Sequence, residues 1–528
     1  MLKRRVWKPI AGIVFMITLF ASALLIFSLL KANILDTLPL LIAAAAVLLL
    51  LCGAAFLLYY GLHRKRSVRR RVRRIIGVFL CVLITAASLY GSWFLLTYHK
   101  VVSDITSKPD NEIRAIVGVY VKKDDPAKSV ADLADYRFAV LGEMEKLHAN
   151  YAIGKINETL GSRVETASYP TVAEAADALR NGDAQALAVS RQFLDMLENG
   201  EEYKTFADEI RLIEEISVPG TATLDNTPIV IDAAEPTPGP TPEPTPEPTP
   251  EPPVYGEDTT LIFYLSGTDK WEEGVSNTHS DVNMLMLVNT RTRQVLLIHT
   301  PRDFWVTNAA INRLDKLTNC GILGVENSIT TLENYYEIDI DNYVKVNFKS
   351  FMTFVNGIGG ITVDNPVAFH GKIPGHEYDF AVGEIELDGP AALAYARERH
   401  SFANGELGRG QNHIRVLTGI INKLKSGGAA LMLQYPKILG WMGDYFETDL
   451  SYDQISDLIK IATRYLSDWD IKSYGVFGGS GKGVTSAGYE EYFIFPNDHS
   501  VAFAKRLMTM LQNDEIITDE VLAEAPKY

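Results

Sequence analysis

Cysteine is nearly absent. The chain has three in 528 residues, Cys52, Cys81 and Cys320. Two fall in apolar runs near the amino terminus, so the rest of the chain has one thiol and no disulfide framework is available to it. Everything beyond those runs must fold on hydrophobic cores alone. Positive charge is also scarce: the formal net charge is −15, and that sum includes basic clusters confined to the first hundred residues. The remainder is more acidic still, which disfavours nucleic-acid binding. No small-residue cleavage site follows the first apolar run, so a removed signal peptide is not expected. A P-loop is missing too. In GGSGKGVTS (478–486), Gly483 stands where Ser or Thr must follow Gly-Lys, and Val476 where the leading glycine belongs. That stretch is expected to be a loop.

What is present begins with three nearly uncharged apolar runs, Pro9–Leu30, Leu38–Leu62 and Ile75–Tyr98. Each is long enough to cross about 30 Å of hydrocarbon as a helix. Lys3, Arg4, Arg5 and Lys8 precede the first run, and HRKRSVRRRVRR (63–74) separates the second from the third. By the positive-inside rule the amino terminus and this Arg loop face the cytoplasm, and everything after Lys100 lies outside the cell. Between two spans, the Arg loop reads as a topology and anionic-lipid signal rather than a nucleic-acid patch.

Residues 1–100 are therefore expected to be a three-span anchor, and 101–232 an α/β accessory domain. In the latter, strand-like IVGVYV (116–121), RFAV (137–140) and ALAVS (186–190) alternate with helix-like segments beginning at Ser129 and Ala173. The S-V-A-D-L element, its following strand and the A-A-D-A-L-R-N-G-D-A-Q-A-L-A segment resemble part of a solute-binding lobe. The segment is too short for a two-lobed clamp, so a rigid spacer or accessory role is expected. Residues 233–256 contain EPTPGPTPEPTPEPTPEPP, a Pro-Thr-Glu repeat that should form an extended polyproline II linker.

The richest stretch is Thr259–Asp303. TLIFYLS (260–266), NMLMLV (283–288) and VLLIH (295–299) have strand length and composition. With Asn289–Arg293 as a hairpin loop, the strands form an antiparallel meander that sets Asp281 across from Arg302 and Asp303. The longer loop Gly267–Ser280 returns Asp269 to the same edge. Such a cluster is either a solvated salt-bridge network or a site: two converging Asp oxygens suit Mg2+, and arginine beside it suits phosphate.

Further on, Ile338–Phe348 and Ile361–Val363 read as strands and Phe351–Asn356 as a helix. Asp388 caps a helix opened by Gly389 and Pro390. Arg397 and Arg399 share one side only if that helix ends near Ala396, since i and i+2 diverge on a helix but agree on an extended segment. The alternative is a pair of helix-end arginines favouring the macrodipole. Arg409 lies at the start of another helix reaching Leu424, and 435–443, 452–465 and 500–511 read as closing helices.

Taken in order, the motifs G-T-D, S-D, P-R-D, D-K, G-I-G-G-I-T-V, L-D-G-x-x-A-L-A-Y-x-R-x-R and E-L-G-R resemble the LytR-CpsA-Psr family over about residues 255–425. The resemblance implies an α/β/α sandwich with a mixed sheet over 257–515, followed by a tail at 516–528. It also implies an apolar cavity for a polyprenyl chain. The implied activity is phosphotransfer, moving an anionic glycopolymer of teichoic acid or capsule type from polyprenyl pyrophosphate to a peptidoglycan hydroxyl at the bacterial cell membrane. Carried over, Asp269 and Asp281 would hold Mg2+, or Mn2+ in its place. His279, Arg302, Arg397, Arg399, Arg409 and His413 would bind the pyrophosphate. Arg302, Asp303, Glu406 and Arg409 would be the catalytic group, with the general base open between Glu406 and Asp303. Three places depart from the family pattern: His279 replaces an arginine, Asn412 and His413 replace Arg-Gln, and Glu406 replaces an aspartate. A histidine can donate a hydrogen bond, or carry charge below about pH 6.5. The competing functions are a non-catalytic lipid or wall binder and a membrane-bound transcription attenuator.

Overall fold

The computed structural model describes residues 2–59, 68–106, 113–142, 144–198, 200–219, 259–268, 278–402, 405–432, 446–464 and 469–527. The Pro-Thr-Glu repeat, Asp269 and the expected helix at 435–443 lie outside these residues. Three helices open the chain, α1 (Leu2–Ala32), α2 (Thr37–Tyr59) and α3 (Val68–Thr106), each containing a span long and apolar enough to cross a membrane. The third runs well past the expected boundaries at both ends. Small polar side chains join α1 to α3: Thr85 donates to Thr18 at 3.0 Å, and Thr18 to the Cys81 carbonyl at 3.4 Å.

Residues 113–219 form a five-stranded sheet, β1 (Ile113–Lys122), β2 (Arg137–Leu141), β3 (Glu165–Tyr169), β4 (Ala186–Ser190) and β5 (Ile210–Pro219), in the order β3-β2-β4-β1-β5. Helices α4 (Lys146–Leu160), α5 (Val172–Asn181) and α6 (Arg191–Leu197) cross between the strands. Thr171 caps α5 by accepting from the Glu174 N–H. The fifth strand gave no sign in the sequence because IRLIEEISVP alternates only weakly.

The second unit is organised around β6 (Thr260–Thr268), β7 (Val282–Asn289) and β8 (Gln294–Thr300), antiparallel and in the expected register. The turn between β7 and β8 closes at Arg293, whose φ is 56°, and the Asn289 carboxamide oxygen accepts from the Arg291 and Thr292 N–H groups. Two further ribbon strands follow, β9 (Trp305–Asn308) and β10 (Arg313–Lys316), then α7 (Val325–Tyr336) and β11 (Asn342–Asn347). Strand β11 is shorter than the expected Ile338–Phe348; just before it, Asp341 donates its N–H to the Ile262 carbonyl and accepts from the Ile262 N–H through its side chain. Helix α8 (Phe348–Gly357), β12 (Ile361–Asn365), β13 (Phe369–Ile373), β14 (His376–Phe380), β15 (Gly383–Leu387), α9 (Gly389–Arg397) and α10 (Glu406–Met432) lead to β16 (Phe446–Thr448). The chain ends with α11 (Tyr452–Arg464), β17 (Asp470–Gly475), β18 (Gly478–Val484), β19 (Glu490–Pro496), α12 (Asp498–Gln512) and α13 (Asp519–Ala523).

The central sheet has six strands in the order β16-β11-β6-β7-β8-β17. Strands β11 and β17 run parallel to their neighbours β6 and β8, so the sheet is mixed. Strand alternation gives it two apolar faces. On one, Ile262, Tyr264, Leu285, Leu287, Leu296 and Ile298 pack against α7 and α12. On the other, Met284, Val295 and Leu297 meet Ile414 of α10, while Leu261 and Phe263 meet Ile461 of α11. The result is the expected α/β/α sandwich. Each fully buried Leu or Ile is worth roughly 1.5–3 kcal/mol.

Two findings differ from the sequence reading. The glycine-rich 478–486 stretch is not a loop: β18 pairs with β19 in a hairpin. Its glycines admit an indole, since a Cβ on Gly483 would fall 1.6 Å from Trp305 Cζ3, and Trp305 stacks 4.9 Å from Phe495. Residues 516–527 are packed as well: Ile517 is fully buried and donates its N–H to Gln294 Oε1 at 2.8 Å.

The units touch directly. Ile322, Ala487 and Tyr489 of the second unit share one hydrophobic cluster with Ala173, Met196 and Leu197 of the first. Tyr489 donates to the Met196 carbonyl at 2.6 Å, and the Ala173 N–H to the Ala487 carbonyl at 3.0 Å. Helix α11 bridges to the anchor, Tyr452 donating to the Ala32 carbonyl at 2.8 Å with its ring 4.8 Å from that of His99.

Candidate active site

Asp281 precedes β7 and donates its N–H to the Gly267 carbonyl, while Arg302 follows β8; the meander therefore brings them together. Arg302 Nη1 donates to Asp281 Oδ1 at 2.6 Å. Burial works against the Arg302 charge, yet Asp281, Asp303 and Glu406 together hold its pKa above the ordinary guanidinium value. Asp303 lies on the same edge but turns away from Asp281: its oxygens stand 3.8 Å from Arg302 Nε and 3.3 Å from Lys316 Nζ.

Lys316 is a site residue that the sequence patterns do not single out. It is 6 % exposed and lies 2.7 Å from Glu491 of β19, so a buried cation ties the P-R-D segment to the glycine hairpin. The only sequence signal was its place in the D-K motif. Behind it, fully buried Asp315 accepts from the Ser486 hydroxyl and the Asn319 amide, and burial pushes its carboxyl above the usual range.

Helix α9 ends where two arginines need it to end. Asp388 accepts from the Ala391 N–H at its start, and Glu398, with ψ of 129°, is extended. Arg397 lies over the Phe348 ring, 4.6 Å from its centroid. Arg399 Nη1 donates to Glu406 Oε1 at 3.3 Å, and Arg409 Nη2 pairs with Glu406 Oε2. Burial, followed by the charge of Arg302, lowers the Arg409 pKa.

A cleft of about 820 Å3 collects Asp281, Arg302, Arg397, Arg399, Arg409 and His413. Asp303, Glu406 and His279 do not line it; His279 is half-buried beside Ser280. His413 and the unforeseen His299 form a buried pair with ring nitrogens 3.3 Å apart. Gly410 makes room for it, since a Cβ there would fall 2.5 Å from the His299 ring. Burial, with Arg409 adding to it, pushes His299 down to about 3, and burial, His299 and Arg409 hold His413 well below its ordinary value. The same burial opposes the charge below about pH 6.5 expected of a histidine here, in the case of His413. Asn412 is fully buried and donates to the Tyr395 carbonyl at 2.9 Å, bracing the end of α9.

For a divalent cation, Asp281 offers hard carboxylate oxygen beside the arginines, a donor type that fits Mg2+. Among the described residues no group of three or more metal-ligating side chains converges.

The LytR_cpsA_psr family model matches residues 246–508. Residues 246–508 are a LytR-CpsA-Psr domain. Among curated proteins, the chain is 36 % identical over 205 residues to a polyisoprenyl-teichoic acid–peptidoglycan teichoic acid transferase TagU of Enterococcus faecalis, covering 38 % of this chain and 65 % of that protein. It is 30 % identical over 200 residues to TagU of Bacillus subtilis, covering 37 % and 63 %. The match thus spans a little under two thirds of these relatives' length. Among solved structures, B. subtilis TagV aligns over 50 % of this chain and all of its own, with 22 % identity and a TM-score of 0.42.

Proposed function

We propose that this LytR-CpsA-Psr protein is a membrane-anchored phosphotransferase. It moves an anionic glycopolymer, of teichoic acid or capsule type, from a polyprenyl-pyrophosphate carrier to a peptidoglycan hydroxyl. The observation that carries the reading is the convergence of Arg302, Arg397, Arg399 and Arg409 on one cleft with Asp281. Four guanidinium groups exceed what a structural ion-pair network needs and suit a pyrophosphate. The names of the relatives support the same reaction class. The basic segments flanking the first spans support a cytoplasmic amino terminus and an extracellular domain.

The wall hydroxyl attacks the phosphorus bonded to the glycopolymer. A new P–O bond forms, the bond to the bridging oxygen breaks, and polyprenyl phosphate leaves with that oxygen and its electron pair. Arg302 and Arg409 orient the phosphates and offset the charge on the leaving group. Asp281, with Asp269, would hold Mg2+, which supplies further neutralisation of the pyrophosphate when bound. Asp303 fixes Arg302 and Lys316, and Glu406 fixes Arg399 and Arg409. Both carboxylates are buried and ion-paired, so in this structure they hold the cleft arginines in place, and the general base stays open between them.

The test is Asp281→Ala in the full-length protein, with transfer measured from a lipid-linked donor across a Mg2+ titration. Loss of Mg2+-dependent transfer with the fold intact is expected; undiminished transfer overturns the assignment. Wild-type protein that binds donor tightly without turnover would make it a lipid-pyrophosphate binder instead.

A further inference from the structure

One wall of the cleft is built by an element that the phosphate chemistry does not use. Strands β13 and β14 form a hairpin arm inserted between β12 and β15, and its tip, Lys372 to Glu377, lines the cleft opposite Arg397 and His400. The arm is fixed at its base. Phe369 and Phe380 pack on Tyr395 with ring centroids 5.0 and 5.2 Å away, Ile373 is buried, and Ser401 donates to the His370 carbonyl at 3.3 Å.

The charges on the arm are sorted. His370 faces Asp379 at 2.9 Å and stands 3.9 Å from Glu377. Across the cleft, Glu398 is occupied with the Ser401 N–H at 2.7 Å. On the cleft floor, Arg302 is matched by Asp281, and Arg399 and Arg409 by Glu406. On the rim, Lys372 and Arg397 have no ion pair among the described residues. With Glu406, which pairs with two of them, five fixed cations meet four carboxylates, Asp281, Glu377, Glu398 and Glu406, a surplus of one. The cleft's volume lies in the range that encloses a drug-sized molecule, more than a diphosphate fills.

We propose that Lys372 and His376 on the arm, with His400 opposite, form a second anion subsite beside the arginines of the pyrophosphate. It takes the first phosphodiester of the glycopolymer on the sugar side of the donor's pyrophosphate. The inference rests on the donor reading and deepens it: the enzyme recognises the polymer's own charge as well as the carrier's. Rim exposure leaves the contact screened, so its contribution is that of one partly exposed charge-assisted pair.

The test uses full-length protein in phosphatidylcholine nanodiscs, where no anionic headgroup competes. Two polyprenyl-pyrophosphoryl disaccharide donors are compared, one bare and one extended by two glycerol phosphate units. The readout is the ratio of their dissociation constants. Wild type is expected to favour the extended donor about fivefold, a preference that 0.5 M salt weakens. Lys372→Gln should bring the ratio close to one, and Lys372→Glu should bring it below one. Absence of the preference in wild type, or its persistence in both variants, overturns the subsite. Transfer itself is scored separately through Asp281→Ala, so either conclusion can fail without the other.

Discussion

Lys316 sits almost without solvent between Asp303 and Glu491. Removing one member of a buried ionic group strands the others, at a cost of about 3 kcal/mol or more. Lys316→Ala should therefore lower stability by about that much and displace Asp303 from Arg302, which urea unfolding and donor binding would register together. The histidine pair makes a second residue-level prediction. In the unfolded chain each imidazole takes a proton near pH 6.5, whereas burial keeps the folded pair neutral until far lower, about 3 for His299. The unfolded state thus binds more protons below about pH 6.5, and stability falls as pH drops towards the folded values. Between pH 7 and pH 5 the loss is about 2 kcal/mol for His299, and His413 adds to it in the same direction. Urea melts at the two pH values check it, and the slope should flatten in His299→Gln/His413→Gln. Lys316, His299 and Asn412 were hard to read from sequence for one reason. A buried polar residue is defined by what packs on it from far along the chain, and local pattern is silent about that. Asp281 and Arg302 were legible because one hairpin register fixes both.

At the scale of elements, alternation and capping did most of the work. The meander, the end of α9 before its second arginine, and helices α11 and α12 follow from period-2 runs, the Asp-Gly-Pro start at 388–390 and amphipathic spacing. The glycine hairpin escaped because its strand carries almost no side chains; its apolar partner, Trp305, lies more than 170 positions earlier. That packing predicts a sharp size limit. Gly483→Val should overfill the contact and cost about 1–3 kcal/mol, whereas exposed Gly479, with nothing within 4 Å of an added Cβ, should accept alanine with little change. Thermal melts of the two variants side by side would separate close packing from a general aversion to side chains in the strand. The arm of β13 and β14 escaped for a different reason: its polar, half-exposed residues resemble an ordinary surface hairpin until α9 is seen beneath it.

For the whole molecule, the expected accessory segment turns out to be docked. Tyr489 and Ala487 at the turn of the glycine hairpin are part of the same apolar cluster as α5 and α6, and interfaces of that character suppress relative motion. Tyr489→Ala removes a buried ring and the hydrogen bond to the Met196 carbonyl, and is expected to split thermal unfolding into two transitions where wild type shows one. A single unchanged transition by calorimetry would contradict the coupling. This contact is not legible in the residues alone, since apolar residues on a small sheet read equally well as the core of a free-standing unit. The docking also changes what the Pro-Thr-Glu run has to do. Buried contacts on either side already hold the two units together. A specific protease site introduced within 235–253 could then be cut, and the two fragments would still elute together from a sizing column.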